Sequence, residues 1–251
     1  VFGIPNKKDE TGEISCSSSS IVPRAISELK KVFEDKLFVI ADVCNCEYTT
    51  HGHCGTIIDN DVDNDLTIKT LSSQSLVLAK SGADALAPSD MMDGRVKAIR
   101  DILDKNKFEK IPIFPYSVKY NSAFYGPFRE AAKSSPNFGD RKTYQMNFKN
   151  SEEAINEVKL DINEGADVII IKPAISYLDI IYRIKQKFNV PIIAYNVSGE
   201  YTMVKSASEK NFINGIETIL EILHSIKRSG ANAIISYHAL EVAKYLKAND
   251  L

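Results

Sequence analysis

The sequence predicts an α/β chain folded as a (β/α)8 barrel, or TIM barrel, on three observations. Short runs rich in β-branched residues alternate with helical patterns along the 251 residues. These runs are continuously apolar, as expected for parallel strands that helices cover outside and barrel side chains contact inside. Hydrophobic residues make up 44% and charged residues 25% of the chain, which is ordinary globular usage. An open doubly wound sheet is the alternative.

Six strands are predicted from the apolar runs, over residues 37–42, 85–88, 111–115, 168–172, 191–197 and 233–237. Residues 1–4 resemble the tail of a seventh strand. A barrel that lacks one strand leaves backbone groups unpaired along an open edge. We therefore expect a single domain over residues 1–251, truncated at its N-terminus, whose first strand lies in an upstream segment.

Capping signals delimit the predicted helices. Residues 150–153 offer an N-cap followed by acidic residues, and Gly165 supplies the C-cap of the same helix. The same reasoning predicts helices over about residues 66–81 and 214–229, each followed by a glycine. Strands and helices therefore form repeated βα units.

One long connection interrupts this alternation. Residues 117–150 contain only a short helical pattern, near residues 129–133. Connections of this length inside compact domains are often lids over active sites. We predict that this segment is a lid.

Charge and hydropathy exclude two classes of partner. The 31 Lys and Arg against 33 Asp and Glu give a net charge of -2, without the basic excess expected of a protein that binds nucleic acid. No apolar run approaches the roughly 18 residues that span a bilayer, and no leader pattern opens the sequence. We expect neither nucleic-acid nor membrane partners, and a cytoplasmic location.

Three cysteines follow the first predicted strand, where barrel enzymes place their sites. Cys44, Cys46 and Cys54 offer thiolates, which Zn²⁺ prefers, and three protein ligands leave a fourth position open, as in catalytic zinc sites. His51 and His53 lie in the same stretch, where histidines often orient ligands from outside the coordination sphere. The alternative is a cluster of reduced loop cysteines without metal.

Two lysines end strand-like runs, Lys119 after residues 115–118 and Lys172 after residues 168–171. An amine in an apolar pocket, or beside a second cation, loses its proton more readily and can attack a carbonyl to form a Schiff base. The alternative is that each lysine extends to solvent. Two such lysines at the same end of the strands favour the catalytic interpretation.

Polar residues of the predicted lid offer a second function. Arg129 and Arg141 suit carboxylate recognition, because the two N–H groups of a guanidinium can bind both carboxylate oxygens. Solvated surface arginines are the alternative. Ser89 opens another helical pattern, where N-capping and a role in the site are equally compatible with its position.

Five separated segments, in the same order along the chain, resemble the zinc-type porphobilinogen synthase (δ-aminolevulinic acid dehydratase) family. They are residues 42–55, residues 87–95, residues 124–129, Lys172-Pro173 and residues 197–201. The resemblance extends from Phe2-Gly3 nearly to the C-terminus, which makes it more specific than any one motif.

The resemblance implies a catalytic domain that condenses two 5-aminolevulinate molecules to porphobilinogen, a lyase step of tetrapyrrole and haem synthesis. Lys172 matches the Schiff-base lysine for the first substrate, and Lys119 matches the lysine that engages the second. The implied substrate-binding residues are Ser198 and Tyr237 for the first carboxylate, Arg129, Arg141 and Gln145 for the second, Asp42 and Ser89 around the reacting amine, and Tyr125, Phe128 and Tyr195 as aromatic walls.

The resemblance also implies cofactors and assembly. Cys44, Cys46 and Cys54 match the zinc ligands at the second-substrate site, and Glu164 matches a position of an outer, allosteric Mg²⁺ site in some members. Members form homo-octamers in which an N-terminal arm wraps a neighbouring subunit. The arm and first strand precede the sequence given, so we expect altered assembly and impaired activity of the chain as written. A plastid location stays open for the same reason.

Two other functions remain as alternatives. A class I aldolase also uses a Schiff-base lysine on a (β/α)8 barrel, but it accounts for neither the second lysine nor the three cysteines. A non-catalytic, zinc-binding barrel would bind metal without forming an adduct with a carbonyl compound.

Overall fold

Strands and helices alternate along residues 1–250, which the computed structural model describes. The strands are β1 Ile40–Val43, β2 Ile57–Ile58, β3 Asp61–Val62, β4 Ala85–Pro88, β5 Val118–Lys119, β6 Ile169–Lys172, β7 Ile192–Asn196 and β8 Ala233–Ser236. The helices are α1 Ile21–Phe33, α2 Asn64–Lys80, α3 Arg95–Lys105, α4 Gly126–Ala131, α5 Glu153–Glu164, α6 Leu178–Lys187, α7 Ser198–Glu209, α8 Gly215–Arg228 and α9 Ala239–Ala248. Within these residues, no helix has both the length and the apolarity that crossing a membrane requires.

The long-range strand pairing is parallel. β1 pairs with β4, and β5, β6, β7 and β8 form a second parallel row in that order. The extended segment before β5 joins the two rows, since Phe114 N donates to the Leu86 carbonyl at 2.7 Å and Ile170 N donates to the Pro115 carbonyl at 2.8 Å. A row of parallel strands with helices between them is the arrangement of a (β/α)8 barrel, as predicted.

Two strand predictions differ in detail from the structure, and one observed hairpin was not predicted. The segment 111–115 forms only an isolated bridge at Ile113, because Pro112 and Pro115 have no N–H to donate. The hairpin of β2 and β3 was not predicted, because two-residue strands carry no periodicity. Residues 1–4 form no regular strand, although the Val1 carbonyl accepts a hydrogen bond from Asp42 N at 3.1 Å.

The limits of the three helices predicted from capping signals are confirmed to within two residues, whereas the short helix of the predicted lid, α4, begins at Gly126 instead of near residue 129. Asp63 accepts a hydrogen bond from Leu66 N at 2.8 Å and caps α2. Asn214 caps α8 in the same way, and Gly165 ends α5 with a φ of 108°. These signals act within one helical turn, which is why the sequence contains them.

Successive side chains of β6 point alternately toward the surrounding helices and toward the interior of the barrel. Ile169 and Ile171 pack with side chains of α5 and α6, whereas Ile170 packs with the aromatic residues inside, among them Tyr195. Each fully buried isoleucine stabilises the fold by roughly 1.5–3 kcal/mol. Lys172 has the parity of Ile170, so its side chain is placed inside the barrel at the carboxyl end of the strand.

Candidate active site and metal centre

The two lysines are neighbours across a pair of strands. Lys119 is directly opposite Lys172 in the parallel register of β5 and β6, and only 4% and 6% of the two residues are exposed. The Lys119 amine donates a hydrogen bond to the Ser89 carbonyl oxygen, after β4. The structure therefore brings together two buried amines and Ser89, a predicted site residue.

Aromatic rings surround the amine of Lys172. Its Nζ lies 4.5 Å from the ring centre of Tyr195, 5.0 Å from Tyr125, 5.2 Å from Phe128 and 5.3 Å from Tyr116. Burial, followed by the positive charge of Lys119, lowers the pKa of Lys172 to about 7. A large share of this amine is therefore unprotonated near neutral pH and able to act as a nucleophile.

Two buried carboxyl groups, of Asp42 and Glu47, lie near these amines. Burial, with the charge of Glu47 as the second cause, raises the pKa of Asp42 to about 7. Asp42 Oδ1 has no hydrogen-bond partner among residues 1–250. Glu47 lines the same cavity as both lysines. A carboxyl group with this pKa can both accept and donate a proton near neutral pH.

Side chains of the lid close the cavity. Its lining includes both lysines, Cys46, and the lid residues Phe128 and Arg141, and it holds only about 20 Å³ of open space. Substrate molecules cannot enter this volume without a displacement of the lid. Residues of the predicted lid segment thus line the cavity that contains the lysines.

Unpartnered polar atoms on the predicted lid form a candidate ligand site. Arg129 Nε, Arg141 Nε and both amide atoms of Gln145 are buried and make no hydrogen bond within residues 1–250. Buried donors are normally paired, and guanidinium and amide N–H groups match a carboxylate. Arg141 is fixed by its other nitrogen, which donates to the Gly52 carbonyl at 2.7 Å and to the Ser134 carbonyl at 2.6 Å.

The predicted residues for the first carboxylate occupy the neighbouring strand ends. Ser198 begins α7, directly after β7, and its hydroxyl accepts a hydrogen bond from Phe128 N at 3.1 Å. The hydroxyl groups of Tyr195 and Tyr237 lie 3.2 Å apart. Ser198 and Tyr237 do not line the closed cavity itself; the serine connects α7 to the lid.

The three predicted cysteines converge in one buried cluster. Their Sγ atoms lie within 4.8 Å of one another, and those of Cys44 and Cys46 are 3.4 Å apart. Turns at Asn45 shape the loop, and Gln74 Nε2 from α2 donates to the Cys44 carbonyl at 3.2 Å. Hydrogen bonds from the other two thiols hold the pKa of Cys54 well below its usual value.

This donor set fits one soft divalent metal ion. Three thiolates at close range, one of them already favoured in its charged form, are ligands for zinc rather than for calcium or magnesium. Because Cys46 also lines the lysine cavity, a metal held here would border the site. Cys16 stands apart, with its Sγ donating to the Thr70 carbonyl at 3.4 Å.

Glu164 lies away from this site. It is the last residue of α5, and its carboxylate accepts a hydrogen bond from Lys97 N at 3.2 Å. Within the described residues, the cysteines form the one group of three or more His, Cys, Asp or Glu side chains placed to share a metal ion. Magnesium at Glu164 remains a prediction.

Glu47 and Tyr116 belong to the site but were not predicted. Glu47 stands between Cys46 and Tyr48, and a carboxylate inside a stretch of metal ligands could have indicated it. The ring centre of Tyr116 lies 5.7 Å from Lys119 Nζ and 5.3 Å from Lys172 Nζ. Its residue type gave no indication of a role in the site, although the segment before β5 has a strand-like pattern.

Comparisons with known proteins agree with this arrangement. A family profile described as delta-aminolevulinic acid dehydratase matches residues 1–245. Curated proteins of that name include one from Bacillus subtilis, 52% identical over 246 residues, and one from Archaeoglobus fulgidus, 49% identical over 247 residues. Each match covers 98% of this chain and 76% of the relative.

A solved structure is also similar. The delta-aminolevulinic acid dehydratase (porphobilinogen synthase) of Toxoplasma gondii, in complex with the reaction product porphobilinogen, matches with a TM-score of 0.93 and 45% identity. The match covers 95% of this chain and 68% of that chain.

Proposed function

This chain belongs to the delta-aminolevulinic acid dehydratase family, and we propose that Lys172 and Lys119 are the amines with which it processes its substrates. Its activity is the lyase reaction in which two molecules of 5-aminolevulinate condense to porphobilinogen with loss of water. One observation supports this assignment of residues. The two buried lysines lie opposite each other on β5 and β6, beside a cluster of three cysteines.

Lys172 is the nucleophile toward the first substrate. Its unprotonated amine attacks the substrate ketone, and an imine forms as one water leaves. Asp42, with a pKa of about 7, supplies the proton to the departing oxygen. The aromatic rings exclude bulk water from the amine, and Ser198 and Tyr237 are the proposed contacts of this substrate's carboxylate.

The second substrate lies on the side of the lid and the cysteines. Lys119 engages it, and its carboxylate occupies the space beside the unpartnered atoms of Arg129, Arg141 and Gln145. Cys44, Cys46 and Cys54 are the proposed zinc ligands. The chemistry that Zn²⁺ supplies when bound is Lewis-acid polarisation of the second substrate.

The test is incubation of the zinc-loaded protein with 5-aminolevulinate, with identification of products by mass. We expect porphobilinogen, and an adduct of the first substrate on Lys172 after borohydride reduction. A linear aldol product without ring closure would favour a class I aldolase. Bound metal without adduct or product would favour a scaffold. Size-exclusion chromatography with light scattering tests the predicted homo-oligomer.

Imine formation is expected to accelerate as the pH rises toward about 7, with an acid-side midpoint set by the pKa of Lys172, which burial and Lys119 lower, and to slow again at higher pH as Asp42 loses the proton that it donates. Only the unprotonated amine attacks, so the rate falls about tenfold per pH unit below this pKa. The measurement is the initial rate of borohydride-trapped adduct against pH. In Lys119→Met the pKa of Lys172 rises and the midpoint moves to higher pH; an unmoved midpoint contradicts the proposed coupling.

A further inference from the structure

The cysteine loop, residues 44–55, is bound to the lid along an extended contact. Asn137 N donates to the His51 carbonyl at 3.0 Å, and Asn137 Nδ2 donates to the Thr50 carbonyl at 2.8 Å. Arg141 adds its bond to the Gly52 carbonyl. These bonds join segments about ninety residues apart in sequence, so the folded site alone brings them together.

His53 and Tyr144 form the centre of this contact. His53 Nε2 lies 3.0 Å from the Phe138 carbonyl oxygen, which can only accept, so this nitrogen carries the proton. His53 Nδ1 then accepts from the Tyr144 hydroxyl at 3.0 Å, and the tyrosine oxygen accepts from Cys54 N at 3.4 Å. These hydrogen bonds link the Phe138 carbonyl, the His53 ring and the Tyr144 hydroxyl in series. The series ends at the backbone N–H of Cys54, one of the three clustered cysteines.

Gly52 allows the two segments to approach. Its φ is +73°, which favours glycine, and a Cβ atom at this position would lie 2.4 Å from the Ser135 carbonyl oxygen. A side chain here would therefore strain the loop and separate it from the lid.

We propose that Tyr144 and His53 are positioning residues, a latch through which the cysteine loop places Arg141 and Gln145 of the lid at the second-substrate site. Tyr144 lies in the same turn as both residues, since Gln145 N donates to the Arg141 carbonyl at 2.8 Å. Fixing the tyrosine hydroxyl to the amide of Cys54 fixes this turn relative to the cysteines.

The latch makes order in the lid depend on order in the cysteine loop. Metal binding by the three thiols would restrain the loop, and with it the Tyr144 turn. The lid must open to admit substrate and close again, because the closed cavity holds only about 20 Å³. Metal binding and lid closure are thus coupled through Tyr144. The effect of this coupling on substrate binding rests on the proposed roles of Arg141 and Gln145.

The first experiment is brief trypsin digestion of the full protein with zinc and after removal of zinc, with cleavage after Lys142 measured by mass. The side chain of Lys142 is well exposed, so burial does not protect it, and its cleavage reports how ordered the backbone of the predicted lid is. We expect zinc to slow the cleavage at least about tenfold in the unaltered protein and to have no effect in Tyr144→Phe, with the zinc content of that variant unchanged. Tyr182→Phe, at an exposed tyrosine on α6, is the matched control.

The second readout is kinetic. Tyr144→Phe removes both hydrogen bonds and keeps the ring, so we expect the KM for 5-aminolevulinate to rise about tenfold while adduct formation on Lys172 is unchanged. His53→Gln, which leaves the tyrosine intact, must shift both readouts in the same direction. This second variant separates the latch from a folding defect specific to Tyr144→Phe.

Two results would overturn the latch. The latch is contradicted if both variants, Tyr144→Phe and His53→Gln, keep the protection by zinc and the KM of the unaltered protein. Loss of zinc from both variants would assign these residues to the cysteine loop alone. If the unaltered protein shows zinc-dependent protection but forms no adduct or product, the proposed function fails and the latch stands.

Discussion

Replacing Lys172 with arginine is expected to abolish the borohydride-trapped adduct and to lower turnover by at least about 10³-fold, as removal of a covalent nucleophile does in other enzymes. Arginine keeps the positive charge but stays protonated, so it cannot form an imine. The measurement is intact mass after reduction, with peptide mapping of the adduct, alongside the rate of porphobilinogen formation.

Lys97→Arg is the control for this substitution, because the side chain of Lys97 is exposed on α3 and is not part of the cavity lining. It should leave adduct and turnover unchanged. An adduct of the same mass that persists in Lys172→Arg and maps to Lys119 would reverse the order in which the two lysines are proposed to act.

Replacing Cys54 with serine should reduce bound zinc to below about a tenth of an ion per chain and lower product formation by about 100-fold. Cys54 is the thiol whose charged form the other two cysteines stabilise by hydrogen bonds, and its loss leaves only two of the three proposed thiol ligands. The adduct on Lys172 should still form, because this amine is surrounded by aromatic rings rather than by the cysteines.

Cys16→Ser is the matched control, since Cys16 lies outside the cluster. It should bind zinc and turn over like the unaltered protein. Full zinc occupancy in Cys54→Ser would show that the cluster is not the metal site. Loss of the Lys172 adduct would show that the metal acts on the first substrate as well.

Local signals explain what could be predicted of the fold. Asp63, Asn214 and Gly165 each act within one turn of their own helix, and they set the ends of α2, α8 and α5. The segment 111–115 shows the limit of such patterns. Its apolar run predicts a strand, but the prolines interrupt regular pairing, and regular pairing resumes only at Val118.

The same distinction applies to the site. The lysines and cysteines could be predicted because each type of side chain carries its own chemistry at the end of a strand. The contact between His53 and Tyr144 could not, since it joins positions 91 residues apart and depends on how the lid folds back. The position of Glu47 among the cysteines could have indicated a role, but its burial in the lining of the lysine cavity is seen only in the structure.

The register of β5 against β6 decides which changes of chain length this protein can tolerate. Lys119 meets Lys172 only while Val118 stays opposite Ile171. Side chains alternate between the two faces of a strand, so deletion of one residue within β5 would turn the amine outward, toward the helices. Insertions in the exposed turn between α7 and α8, around Asn211, leave this alignment intact. Related chains should therefore vary in length in that turn, and an insertion or deletion between residues 116 and 119 should inactivate the enzyme.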